Sequence, residues 1–128
     1  MTIPLACLAV VALLPYVCAW TGGFFRYRQF GALDNKSPRT QQAAMEGIGA
    51  RAQAAQANAW EALPFFTAAV VVSHLAGADP VKAARLSEIF VATRVLHPIL
   101  YLADRDVLRS LVFLVGFACV VGLFLIAA

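Results

Sequence analysis

The sequence has few charged residues. Asp, Glu, Lys and Arg make up only 13% of its 128 residues, whereas 62% are hydrophobic, and the mean hydropathy is +0.78. If all these apolar residues formed one buried core, so short a chain would have too few polar residues to cover it. A water-soluble globular domain is therefore excluded. We therefore expect an integral membrane protein, with lipid around much of its surface.

The sequence also lacks the motifs of metal, disulfide and nucleic-acid sites. Cys7, Cys18 and Cys119 lie apart inside apolar runs, with no CxxC pair and no metal-ligand spacing, so we interpret them as packing residues and expect no metal. The formal net charge is +3, and no run of Lys and Arg is interleaved with aromatic residues. Nucleic acid is therefore not an expected partner.

The sequence contains four hydrophobic runs. A transmembrane helix needs roughly 20 residues to cross about 30 Å of hydrocarbon. The four runs cover residues 3–25, 62–78, 81–103 and 108–128. The second run is short, but an Ala-rich segment before it favours a helix that begins outside the bilayer. The third run contains Lys82, Arg85, Glu88 and Arg94 and would be missed by a strict hydropathy window. We predict four transmembrane helices.

Short turn signals separate these runs. In AGADP, residues 76–80, Asp79 is the expected N-cap and Pro80 the first residue of the next helix. In ADRD, residues 103–106, Asp106 is the expected N-cap. Short connections favour antiparallel neighbours, so the predicted fold is all-α, a single domain of residues 1–128 that forms an up-down bundle of four transmembrane helices.

Basic residues predict the orientation in the membrane. The ends of the chain carry no Lys or Arg, whereas residues 26–51 contain five basic residues and the loop before the fourth run contains Arg105 and Arg109. By the positive-inside rule these two loops are cytoplasmic and both termini lie outside the cytoplasm. A cleaved signal peptide over residues 1–25 is the alternative, but it lacks the basic start that such peptides need.

Polar residues gather at the predicted cytoplasmic ends of the helices. In RAQAAQANAWEALPFF, residues 51–66, a rotation of about 100° per residue places Asn58 about 20° and Glu61 about 80° from Arg51. The other members of this group are Arg26 and Arg28 on the first helix, Arg94, His97 and Tyr101 on one face of the third, and Arg109 and Ser110 at the start of the fourth. Because ionisable groups at membrane depth are costly, we expect a functional site here.

Purely structural roles are the alternative for several of these residues. Glu61 can pair with Arg94 or Arg51 as a clamp inside the bundle. Arg26 and Arg28 can be topology anchors that contact phosphate headgroups. Arg85 and Glu88, spaced i, i+3, are expected to form an ion pair. As a group, however, the polar residues suit a small zwitterionic ligand, because Arg binds carboxylates bidentately and a Glu carboxylate binds an ammonium group.

The same residues resemble a known family. The pattern RAxxAxxNxxExxP is followed by RVxHxxxYL at residues 94–102 and RS at residues 109–110. This resembles the MAPEG family, the membrane-associated proteins in eicosanoid and glutathione metabolism, and the resemblance extends from Arg26 to the last helix. It implies a homotrimer of four-helix protomers that binds glutathione as a co-substrate between neighbouring subunits, on the cytoplasmic side.

The resemblance also implies roles for individual residues. Glutathione contacts are expected from Arg26, Arg51, Asn58, Glu61, Arg94, His97 and Tyr101. Arg109 matches the arginine that stabilises the glutathione thiolate, and Ser110 is a weaker candidate donor beside it. The sequence departs from eukaryotic members at Ala54 and Ala57, where these usually have arginines, one of which contacts the glutathione carboxylates.

The expected activity is therefore that of a glutathione-dependent membrane transferase or peroxidase, acting on a hydrophobic small-molecule electrophile through a bound thiolate. The alternative is a non-catalytic membrane protein that binds lipid or a small anion at the same basic cytoplasmic cleft. A transporter subunit is less favoured, because nothing in the sequence indicates inverted repeats or broken helices. The short loops indicate the bacterial branch of the family and hence the inner membrane.

Overall fold

The computed structural model describes residues 1–128 and contains only helices and their connections. The helices are α1 (Ile3–Phe30), α2 (Pro38–Ala43), α3 (Gly47–Leu75), α4 (Pro80–Leu102) and α5 (Asp106–Leu125). They contain 83% of the residues, and there are no strands. The predicted all-α class is confirmed.

The long helices α1, α3, α4 and α5 lie alongside one another. α1 packs against α3 and α4, and α5 packs against α4 and α3. At one end, the residues before and at the start of α1 line a cavity with His74 in the last turn of α3 and Gly77 of the α3–α4 connection. At the other end, Arg51 near the start of α3 pairs with Asp104 just after α4. Each long helix therefore runs antiparallel to the long helix before it in the chain.

One cluster of buried apolar residues holds these helices together. Its members are Cys7, Val11, Phe66, Ala69, Val70, Ala83, Phe90, Cys119, Val120 and Leu123. The Phe66 and Phe90 rings stack at its centre, with centroids 4.1 Å apart and planes 15° from parallel. All three cysteines are buried thiols, as the packing interpretation requires. Outside the cluster, many large apolar side chains of α1 and α5 are exposed.

Two helices, α1 and α5, are long and apolar enough to cross a membrane. α3 has 29 residues and α4 has 23, so both exceed the roughly 20 residues that a span needs. The polar residues of α3 and α4 lower the mean hydropathy of both helices, however, so composition alone does not identify either helix as membrane-spanning. The arrangement with four transmembrane helices remains a prediction.

The α3–α4 connection has the geometry that its sequence predicts. Gly77 adopts φ 67°, in the left-handed region that glycine tolerates best. The Asp79 carboxylate accepts hydrogen bonds from the backbone N–H groups of Val81 at 2.9 Å and Lys82 at 3.0 Å. Pro80 is the first residue of α4, so the predicted cap is confirmed.

Two other local predictions are wrong. α5 begins at Asp106 with Arg105 at the N-cap position, and the Asp106 carboxylate accepts only from Val107 N–H. Arg85 and Glu88 are both exposed and form no ion pair, because fixing two long exposed side chains in one geometry costs rotamer entropy that a single exposed contact does not offset. In addition, α1 continues past the hydrophobic run of residues 3–25 to Phe30 and ends on Gly31 at φ 75°.

Candidate functional site

Arg94 is the buried centre of the candidate site. Its side chain on α4 is 5% exposed, and its Nη1 donates a hydrogen bond to Asn58 Oδ1 on α3 at 3.1 Å. Its guanidinium carbon lies 5.5 Å from the centre of the Phe90 ring and 5.7 Å from that of the Phe113 ring on α5. Arg94 thus links α4 to α3 through one hydrogen bond and to α5 through one cation–π contact, while its Nε has no hydrogen-bond partner.

His97 and Tyr101 continue from Arg94 along the same face of α4. His97 is buried and lines a very small internal cavity together with Asn58 and Arg94. Its ring lies 5.7 Å from that of Tyr101, edge to face. The Arg109 guanidinium, from α5, lies 4.1 Å from the centre of the Tyr101 ring. The structure therefore brings these predicted residues into one continuous row of contacts.

A groove of about 250 Å³ opens beside Arg94, between α3, α4 and α5. Its polar lining consists of Asn58, Glu61 and Arg94, and its apolar lining consists of Ala62, Phe65, Phe90, Phe113, Phe117 and Val120. The Phe65 and Phe117 rings stack with centroids 5.8 Å apart. The groove thus places a carboxylate, an amide and a guanidinium directly beside an aromatic surface.

Glu61 forms no ion pair within the chain, so the alternative role of Glu61 as a clamp with Arg94 or Arg51 is wrong. Arg94 is hydrogen-bonded to Asn58 instead, and Arg51 pairs with Asp104. Glu61 lies almost one helical turn beyond Asn58, with an exposed side chain on the groove lining. Its carboxylate is therefore accessible to a partner outside this chain.

Arg51 does not line the groove. Its Nη1 lies 3.8 Å from Asp104 Oδ2, and the two side chains are 31% and 75% exposed, which makes this a weak surface pair. The seven-residue separation from Asn58 corresponds to about 10 Å along the axis of α3. Arg51 Nε is buried and has no hydrogen-bond partner.

Arg26 and Ser110 also lie outside the groove lining. Arg26 is buried, and its Nη1 donates to the Pro38 carbonyl at 3.4 Å, which ties α1 to α2, while its Nε is unpaired. Ser110 is exposed and donates its hydroxyl proton to the Asp106 carbonyl on its own helix at 2.9 Å. The structure does not bring these two residues together with the groove in one chain.

The aromatic lining was not predicted from the sequence. Phe113 and Phe117 are spaced i, i+4 and lie on the groove side of α5, and this spacing was the available signal. In a helix of which nearly every residue is apolar, such a pair does not stand out. Asp104, the partner of Arg51, was also not considered as a site residue.

Comparison with known proteins supports the assignment that these residues suggest. The model of the MAPEG family matches residues 3–128, which is essentially the whole chain. No curated protein and no solved structure shows a significant match. The family is membrane-associated, includes glutathione-dependent transferases and peroxidases, and its members typically use glutathione. On the extent of this match, the chain belongs to the MAPEG family.

Proposed function

We propose that the protein is a glutathione-dependent membrane transferase or peroxidase that acts on a hydrophobic electrophile. The observation that carries this proposal is the groove in which unpaired Glu61 and the Asn58–Arg94 pair adjoin four phenylalanines. A zwitterionic thiol and an apolar electrophile need neighbouring polar and apolar surfaces of this kind. The family includes enzymes with this chemistry.

The polar side of the groove suits the ammonium and amide groups of glutathione. Glu61 provides an accessible carboxylate for the ammonium group. A guanidinium can only donate hydrogen bonds, so the Arg94 contact fixes the amide oxygen of Asn58 towards Arg94. The Asn58 NH₂ group is then free to donate to a carbonyl or carboxylate of the ligand. In this scheme Arg94 acts by orienting Asn58.

The glutathione carboxylates need cations from outside the groove. Arg51 has only a 3.8 Å surface pair with Asp104, and Arg26 has only a 3.4 Å hydrogen bond to the Pro38 carbonyl. A guanidinium binds a carboxylate with two parallel hydrogen bonds, so we propose these two as the carboxylate ligands. Ala54 and Ala57 provide no such groups on α3. Binding through Arg51 and Arg26 alone is expected to be weaker than in members that have the additional arginines.

Arg109 is the proposed activating residue. Bound glutathione supplies a thiol, whose pKa of about 8.5 leaves it mostly protonated at neutral pH. A guanidinium beside the sulfur lowers the free energy of the thiolate, which is the nucleophile that attacks an electrophilic carbon. The face of the Tyr101 ring holds the Arg109 guanidinium in place. The Ser110 hydroxyl, bonded to its own helix, is the weaker candidate.

The proposal includes a membrane arrangement with four spans and both termini outside the cytoplasm of a bacterial inner membrane. It is supported by the lengths of α3 and α4 and by the basic residues at one end of the molecule. Alkaline phosphatase fused after Ala128 should then be active in a bacterial host. An active cytoplasmic reporter at that position would overturn the topology.

The activity is tested with detergent-purified protein, glutathione and a hydrophobic electrophile. We expect a glutathione conjugate to form faster than without protein, as measured by mass spectrometry, or a hydrophobic peroxide to be reduced to its alcohol. Glutathione binding without either product would favour a non-catalytic binding protein at the same cleft.

A further inference from the structure

Gly116 on α5 lies directly against the part of α4 that carries Arg94. A Cβ atom at this position would lie 2.7 Å from Thr93 Oγ1, 3.4 Å from Arg94 Nη2 and 3.6 Å from Phe90 Cδ2. The first distance is shorter than real Cβ contacts allow, so a side chain here requires a rearrangement. Gly116 is helical and buried, so its role is close approach rather than an unusual backbone angle.

Thr93 cannot easily move out of the way. It is buried, and its Oγ1 donates to the Phe90 carbonyl at 2.7 Å. A β-branched side chain in a helix has few allowed χ1 rotamers, and rotating this one would break that hydrogen bond. The overlap between a side chain at position 116 and Thr93 is therefore removed by a displacement of α4 away from α5.

Such a displacement would reach the Asn58 contact. Arg94 follows Thr93 in the chain, and its guanidinium is held between Asn58 on α3 and the Phe113 ring on α5. The 3.1 Å hydrogen bond to Asn58 depends on the position of α4 relative to both neighbouring helices. We propose that Gly116 is a positioning residue: its lack of a side chain lets α4 approach α5 closely enough for Arg94 to hold Asn58 in the groove.

Two other glycines provide matched controls. A Cβ atom at Gly122, also on α5, would lie 3.2 Å from Leu86 Cδ1, the end of a flexible side chain. A Cβ atom at Gly23 on α1 would meet nothing within 4 Å. Gly122→Ala and Gly23→Ala therefore make the same change in helix propensity as Gly116→Ala without obstructing Thr93.

The test is a double-mutant cycle between Asn58→Ala and Arg94→Met, read from the thermal unfolding of detergent-purified protein. In the natural background and in both control backgrounds, the effects of the two substitutions on thermal stability should be non-additive. In the Gly116→Ala background the non-additivity should be lost. Adding Thr93→Ala, which removes the obstructing oxygen, should restore it, even if Gly116→Ala alone does not fold.

Coupling that persists in Gly116→Ala would overturn the proposal, and so would a Gly116→Ala/Thr93→Ala protein that stays uncoupled or unfolded. This readout does not depend on glutathione. The functional consequence rests on the proposed function: Gly116→Ala should weaken glutathione binding severalfold, and Thr93→Ala should restore it. If the unmodified protein binds no glutathione but the coupling behaves as described, the proposed function fails and the positioning role stands.

Discussion

At the scale of single residues, Arg94 shows how a buried cation can be accommodated. A guanidinium taken out of water loses several kcal/mol of hydration unless other groups replace the solvent. Here one amide oxygen and two aromatic ring faces replace it. Because the partner is a neutral amide rather than a carboxylate, Glu61 keeps its charge free for a ligand. This division of roles makes the groove suitable for a zwitterion.

Replacing Arg109 should separate chemistry from binding. Arg109→Ala removes the cation that we propose beside the bound thiol, so the thiol pKa should rise. Each unit of that rise lowers the thiolate fraction about tenfold at pH values below the pKa. Turnover should therefore fall most near neutral pH and partly recover in alkali, while glutathione affinity changes little. The pH profile of turnover measures this effect.

Arg105→Ala is the matched control, since Arg105 is an exposed residue one turn before Arg109. Its pH profile should match that of the unmodified protein. A thiolate absorbance at neutral pH that does not change in Arg109→Ala would show that Arg109 is not the activating residue, and Tyr101 or Ser110 would replace it as the candidate.

The residues of the site could be predicted from the sequence better than their pairing. Ionisable side chains inside apolar helices are rare, so Arg94 and Glu61 were recognisable from their positions alone. Which of these side chains contact each other depends on how each helix is rotated about its axis. Asn58 and Glu61 are separated by one turn of α3, and both were compatible with an Arg94 partner. Packing of α3 against α4 directs Asn58 inward and leaves Glu61 exposed.

At the scale of the helices, the cap of α4 gives a pH-dependent prediction. The hydrogen bond from the Lys82 backbone N–H, supported by that from Val81, favours the ionised carboxylate and lowers the Asp79 pKa from its ordinary value. A group with a lowered pKa in the folded state stabilises above its unfolded pKa, and the effect disappears as the pH falls through the folded pKa.

Asp79→Ala should therefore lower the melting temperature near neutral pH, and the difference from the unmodified protein should shrink in acid. Asp79→Asn is the control, because an Asn side chain still caps the helix but does not titrate in this range. Melting curves in detergent across the acidic range measure both variants. A deficit in Asp79→Ala that stays constant in acid would contradict this account of the cap.

The helix ends show which boundaries could be predicted from the sequence and which could not. Asp79 followed by Pro80 predicted the start of α4, because both residues favour the same position. At α5 the Asp106 signal was misplaced by one residue: Arg105 holds the N-cap position, so the helix starts one residue earlier than predicted, directly after the turn in which Asp104 takes a left-handed conformation at φ 57°. The extension of α1 to Phe30 depends on the Gly31 cap and on packing with α3, which local apolarity does not reveal.

At the scale of the whole molecule, one chain does not gather all the proposed ligand residues. Glu61 and Asn58 line the groove, whereas Arg26 and Ser110 lie elsewhere. We propose that a neighbouring subunit completes the site in a homotrimer. Chemical crosslinking in native membranes should then give a trimer. Recovery of monomer alone, under conditions in which a known membrane oligomer is crosslinked, would contradict this assembly.

The central claim is that the groove beside Arg94 binds glutathione, and calorimetric titration of the detergent-purified protein tests it most directly. Glutathione and its desthiol analogue should both bind, because the recognised groups are the carboxylates, the amides and the ammonium group. Glu61→Gln should weaken binding by about 1 to 3 kcal/mol through loss of a charged hydrogen bond. Glu88→Gln, at another exposed position without an ion pair, should not. Absence of binding by both ligands, or equal binding by Glu61→Gln and the unmodified protein, would contradict the account.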